Sequence, residues 1–288
     1  MNVYLVLTVI LFFFQPHALS AQSPYQVSYA ILQDTLTVQD EFSPEIGRFD
    51  VFEFDLNTGD KIDIELISPH FIPTLVLLSP SDSVYTNLPS GSLTTIHFSY
   101  TIEETGKWLV LVIGDSASSG AYLLKCRWAS AQALRPSEEA DFCDQVDFLL
   151  AHLNADFAFL KEPPLPGEEK EVWTPTYILD GALEAIITDP RAEKYEATMY
   201  SGNNPQNAES IYQSLLGKLR FCLGEKWKME SSPWQVGNAI TPYKIRYTKF
   251  TEANSPAARF ITIKEFDYRS TPGISPYQFI IKLIFDRQ

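Results

Sequence analysis

The chain has 288 residues, of which 45% are hydrophobic and 20% charged, enough for two packed cores and against wholesale disorder. Its net charge of −14 disfavours nucleic acid and anionic membrane surfaces, which are both neutralised by Lys and Arg.

From the N-terminus, an apolar run from Val3 to Phe14 is followed by Gln15-Pro16-His17 and the small-residue cluster Ala18-Leu19-Ser20-Ala21. This pattern predicts a secretory signal peptide over residues 1–21, cleaved after Ser20 or Ala21. The run falls short of the about 20 apolar residues that a membrane span needs, and no later segment supplies them. No membrane span is therefore expected after cleavage, and the mature chain is expected in the periplasm or outside the cell. Export permits a disulfide among Cys126, Cys143 and Cys222, with at least one thiol left over.

After a short lead-in, the stretch from Gly47 to Trp128 is rich in strand patterns. Phe52, Phe54 and Leu56 alternate with Glu53 and Asp55. Beyond the turn cluster Asn57-Thr58-Gly59-Asp60, Ile62, Ile64 and Leu66 alternate with Asp63 and Glu65. Two period-2 runs around a short Gly-containing turn predict a hairpin. Further runs at Thr74–Leu78, Leu93–Tyr100, Trp108–Ile113 and Ala121–Cys126 are bounded by Pro, Gly, Ser or Asp. Six or more short strands with turns between them predict an all-β sandwich.

The same stretch carries Gly47-x-Phe49-Asp50-x-Phe52-x-Phe54, Thr58-Gly59-Asp60, Ser68-Pro69-x-Phe71, Leu75-x-Leu77 with Ser79-Pro80, Thr105-Gly106-Lys107-Trp108 and Ser119-Gly120-Ala121-Tyr122-Leu123. In this order the motifs resemble the bacterial pre-peptidase C-terminal domain, a jelly-roll-like sandwich of exported bacterial proteins, over residues 28–128. The resemblance implies an appendage to a secreted protein, although no peptidase precedes it in this chain. Ile72 stands where the family often has Asp, and Val84-Tyr85-Thr86-Asn87 where it often has an acidic pair. A calcium role of those acids is therefore not carried over.

Residues 129–136 read as a linker, and residues 137–288 as an α+β unit. Ser137-Glu138-Glu139 is placed to open a helix, with Phe142, Val146, Leu149, Leu150 and Leu153 on one face and an end near Asn154. Asp156–Leu160 reads as a short strand and Lys161–Glu171 as an exposed Pro- and Glu-rich loop. Strands are expected at Val172–Leu179, Ala182–Thr188 and Lys194–Tyr200. Asn204-Pro205 opens a second helix with Ile211, Leu215, Leu219 and Cys222 on one face, and Gly224 stops it. Strands around Lys226–Met229, Tyr243–Thr251, Arg259–Tyr268 and Gln278–Phe285 complete the unit. The order predicts an α-β-β-β duplication, with two helices on one face of an antiparallel sheet. Antiparallel helices would bring Cys143, near the start of the first, to Cys222, near the end of the second. The pair is then a disulfide, or else two buried free thiols.

No catalytic or metal-binding motif stands out. His70, His97 and His152 share no ligand spacing, and there is no His-Glu-x-x-His, nucleophile elbow or Gly-rich phosphate loop. Asp55–Asp60 opens like a calcium loop, but Leu66 stands where the bidentate Glu is needed. No cofactor is expected. Trp173, Tyr177, Trp234, Tyr243 and Tyr277 lie in loops or at strand ends, where they either bind a glycan or polypeptide or fill a small core. The resulting expectation is an exported binding or accessory protein with a protein or glycan partner. The alternative is a secreted hydrolase with an acidic site in the α+β unit.

Overall fold

The computed structural model describes residues 24–87, 94–161, 171–188, 194–237, 243–253, 258–271, 273 and 275–287. The expected signal at residues 1–21 and residues 162–170 of the Pro- and Glu-rich loop lie outside the described residues.

Strands β1 (Val27–Leu36), β2 (Glu41–Ser43), β3 (Gly47–Leu56), β4 (Lys61–Ile67), β5 (Thr74–Leu78), β6 (Val84–Asn87), β7 (Thr95–Thr101), β8 (Gly106–Gly114) and β9 (Gly120–Ala129) form two antiparallel sheets. Their orders are β1-β9-β4-β7 and β2-β3-β8-β5-β6. Leu56, Ile62, Ile64, Leu66, Leu77, Trp108, Val110, Val112 and Leu124 are buried between them. This is the expected sandwich, with two corrections.

β3 and β4 do not form a hairpin, because they lie in different sheets. Asp60 is buried and its carboxylate accepts from Asn57 N at 2.9 Å, while Gly59 N donates to Ile102 O at 2.7 Å. The turn is thus tied to the strand end beyond β7 and steers the chain across the sandwich. A period-2 run buries one face whether its successor lies beside it or opposite it. The second correction is β1, a ten-residue strand within the lead-in that the sequence reading passed over. Only Ala30, Leu32 and Leu36 on its inner side are apolar at the right period, and its outer side carries Tyr29 and Ile31.

The α+β part holds helices α1 (Phe142–Leu153) and α2 (Pro205–Leu223) and strands β10 (Val172–Trp173), β11 (Glu184–Thr188), β12 (Lys194–Gly202), β13 (Trp227–Ser231), β14 (Gln235–Val236), β15 (Lys244–Glu252), β16 (Arg259–Asp267) and β17 (Phe279–Arg287). The sheet runs β10-β11-β12-β17-β16-β15-β13, with β14 also on β15. Each helix leads into a 3-10 turn and then a meander, and the last strands of the two meanders, β12 and β17, pair at the centre. Among the described residues the halves are unequal, with three strands after α1 and five after α2, so the expected α-β-β-β repeat is not reproduced strand for strand; α2 packs on the sheet, where Tyr212 Oη lies 2.8 Å from Thr248 Oγ1 of β15.

Helix α1 starts later than Ser137. Asp141 accepts from Cys143 N at 2.8 Å and Asp144 N at 3.0 Å, and Asp144 accepts from Asp141 N, which makes a capping box. Ser137 closes a separate turn by accepting from Ala140 N. Asp156–Leu160 is not a strand either. Asp156 and Phe157 have φ of 55° and 52°, and Ala158–Leu160 is a 3-10 turn. Phe157 N donates to His152 O at 2.9 Å, so this segment is the C-terminal cap of α1 folded into the core. Of Val172–Leu179 only Val172–Trp173 is a strand.

The disulfide joins Cys143 to Cys222 with Cα atoms 5.0 Å apart, at the start of α1 and the end of α2. Cys126 is a buried free thiol, pushed up to about 12 by burial. After β9, residues Ala131–Leu134 form a 3-10 turn whose Ala133 is fully buried. Tyr25 and Val27 join the helical core, where the Tyr25 ring meets Phe148 edge-on at 5.2 Å. Among the described residues, no helix is long and apolar enough to cross a membrane.

Candidate binding groove

Helix α1 carries Asp147, Leu150, Ala151 and Asn154 at positions i, i+3, i+4 and i+7, and therefore on one face. That stripe lines a groove of about 1060 Å³. Tyr25–Ser28, entering β1, line it too, as do Cys222–Trp227, running from the end of α2 into β13, together with Glu252 and Arg259. The disulfide sits at its margin through Cys222.

The charges are arranged unevenly. Arg259 grips Glu252 in a fork, Nε to Oε2 and NH2 to Oε1 each at 2.6 Å, and its NH1 donates to Leu150 O at 3.3 Å. This pair neutralises itself and holds β15, β16 and α1 in fixed relation. Asp147 has no such partner. Its carboxyl is raised above the usual range, first by desolvation and then by Asp144, against a lowering by Arg259. The groove thus offers a mixed and mainly polar surface, with the half-desolvated carboxyl of Asp147 on one side and Glu225, Lys226 and Trp227 on the other. Such a surface can take a ligand with apolar and cationic groups. Among the described residues, no three His, Cys, Asp or Glu side chains are grouped to hold a metal ion.

The five aromatics singled out from sequence lie elsewhere. Trp173 packs against the helical core beneath Lys161 Nζ, 4.6 Å from the ring centroid. Tyr177 packs there too, 4.9 Å from Phe148. Trp234 is 41% exposed, with the Arg246 guanidinium 5.0 Å from its ring. Tyr243 packs against Tyr268 at 5.2 Å, and Tyr277 is 43% exposed. Tyr243 and Tyr277 flank β15 and β17 at the end of the sheet where both strands begin. Sequence reasoning missed Asp147, Trp227 and Arg259. The stripe read on α1 shares only Leu150 with the groove, and the opposite wall is assembled from segments far apart in the chain.

No family model matches the chain, and no curated protein matches it. Among solved structures, it is similar to the pre-peptidase C-terminal domain of a collagenase from Bacillus anthracis, at 20% identity and a TM-score of 0.26, over 34% of this chain and 87% of that one. It is also similar to PliG of Aeromonas hydrophila, a periplasmic inhibitor of g-type lysozyme, at 8% identity and a TM-score of 0.25, over 38% of this chain and 92% of that one. Likeness at this level assigns neither a family nor a function.

Proposed function

We propose that this chain is an exported accessory protein that binds a partner in the groove between β1, α1 and the start of β13. The observation that carries the reading is the groove itself, lined by polar and apolar groups, with Asp147 held by no fork of its own and walls cross-braced by the disulfide and the Arg259–Glu252 fork. A disulfide of this kind belongs to an oxidising compartment, which agrees with the signal-like run at Val3–Phe14. The resemblance of residues 28–128 to the pre-peptidase C-terminal domain supports the sandwich as a docking domain, with recognition where its β1 meets the α+β domain.

The test is a titration of the purified protein against peptide and glycan collections, followed by Trp fluorescence. Asp147→Lys and Trp227→Ala are expected to weaken an identified ligand ten-fold or more, and Trp234→Ala to leave it unchanged. A ligand indifferent to both groove variants removes the groove from the reading. One observation favours a hydrolase as the second reading, namely the raised carboxyl of Asp147. Turnover of a peptide or glycan that Asp147→Asn abolishes would put that reading first.

A further inference from the structure

Among the described residues, strand β1 is an edge of its sheet and pairs only with β9. Gln26 O accepts from Ser130 N at 2.9 Å, and Val27 stands opposite Ala129. Main-chain groups of an antiparallel strand alternate in direction, so the N–H and C=O of Val27, Tyr29 and Ile31 point away from β9. Free edges are ordinarily protected by charge, proline or a bulge. From Val27 to Gln33 the strand itself has no charged residue and no proline, Arg287 of β17 being the charge that lies over its Tyr29 ring, and its register with β9 is unbroken. Tyr29 and Ile31 are 44% and 56% exposed on it. The same edge enters the groove at Tyr25–Ser28.

We propose that the groove and the β1 edge together take an extended polypeptide segment of a partner protein, added as a further strand beside β1 and carrying Lys or Arg opposite Asp147. This names the partner class within the accessory-protein reading and rests on it. Main-chain pairing supplies the affinity of such an addition, and side-chain pockets supply the choice of sequence. The charge requirement comes from the repulsion between Asp147 and the cap residue Asp144 three places before it on α1, while Arg259 is already committed to Glu252. A basic segment relieves that repulsion. A second copy of this chain brings another −14 of charge to the same edge, so a basic partner is favoured over self-pairing.

The experiment uses the full-length protein and a blocked peptide of alternating Lys and Val. A second version is N-methylated at every other residue, which removes half of its donors. Calorimetric titration is expected to show binding of the first peptide and at least ten-fold weaker binding of the second. Tyr29→Pro deletes an outward N–H without deleting a bond to β9, and is expected to cost ten-fold or more. Asp147→Lys is expected to weaken binding most at low salt. Equal affinity for the two peptides overturns the proposal, and the comparison stands even if Tyr29→Pro fails to fold. Full binding by a folded Tyr29→Pro variant also overturns it, as does self-association that this variant abolishes. A glycan that binds with sensitivity to Trp227→Ala, where neither peptide binds, defeats the strand addition and leaves the accessory reading standing.

Discussion

His152 is a titratable group placed where it has to stay neutral. It is fully buried on α1, its ring 4.5 Å from that of Phe148 and 6.2 Å from that of Phe159, and its Nε2–H donates to Ala133 O at 2.7 Å. Nδ1 has no partner among the described residues. Desolvation drives the pKa down to about 4 from an unfolded value of 6.5, against a raising effect of the Ala133 hydrogen bond. Between these values the unfolded chain binds the proton first. The stabilisation is therefore complete above pH 6.5 and is lost as pH falls towards 4, with about 2 kcal/mol gone at pH 5. His152→Gln keeps a donor for Ala133 O and does not titrate. Urea midpoints at pH 7 and pH 5 are expected to fall further apart in the parent than in this variant; an equal fall in both would show that another group governs the acid limb.

At the scale of elements, the disulfide closes a separation of 79 residues, worth about 4 kcal/mol in the chain-entropy account. The paired change Cys143→Ser with Cys222→Ser is expected to lower the thermal midpoint by about 10 °C, at a few degrees per kcal/mol. Scanning calorimetry of the variant and of the reduced parent should agree, and an unchanged midpoint would mean that the helix packing alone sets the geometry. This bond was readable in the sequence because its inputs are local. Asn204 caps α2, Gly224 ends it with φ of 58°, and the two amphipathic stripes fix the facing sides. Where the inputs were non-local, the reading failed. Alternation in β3 and β4 says which side chains are buried and not which sheet buries them. The cluster of Phe157, Phe159 and Leu160 is apolar enough for a strand, yet its backbone is turned by two residues at positive φ, each costing roughly 1–2 kcal/mol, which the buried ring and the hydrogen bond to His152 O offset. The groove belongs to the same class: of the stripe read on α1 only Leu150 lines it, and the rest, from Asp147 to Tyr25–Ser28, Trp227 and Arg259, comes together only once the chain has folded.

At the scale of the whole molecule, the sandwich and the α+β part meet through buried aromatics and a set of shared charges. Asp156 stands between Arg127 of β9, at 3.5 Å, and Arg287 of β17, and Arg287 also donates to Asn154 O at 3.1 Å and lies over the Tyr29 ring. Arg127 has a further partner in Asp63 at 3.2 Å, so Asp156→Ala leaves Arg287 the more poorly compensated of the two. The expected cost is about 1–3 kcal/mol. Hydrogen exchange should show it as faster opening of the amides at Ala131–Leu134, with the protection of β4 and β8 retained. Equal acceleration in all of these would make the molecule one cooperative unit.

The strand order also imposes a timetable. In the α+β part, β17 follows every other strand in sequence and lies between β12 and β16. In the sandwich, β9 is likewise the last strand made, and it lies between β1 and β4. A chain emerging from its N-terminus can close neither sheet until the missing middle strand arrives. Until then each sheet carries unsatisfied strand edges, which delays its folding and exposes the chain to aggregation. The two parts therefore differ in timing: the sandwich can close once Ala129 has been made, whereas the α+β sheet waits for β17, almost the end of the described chain.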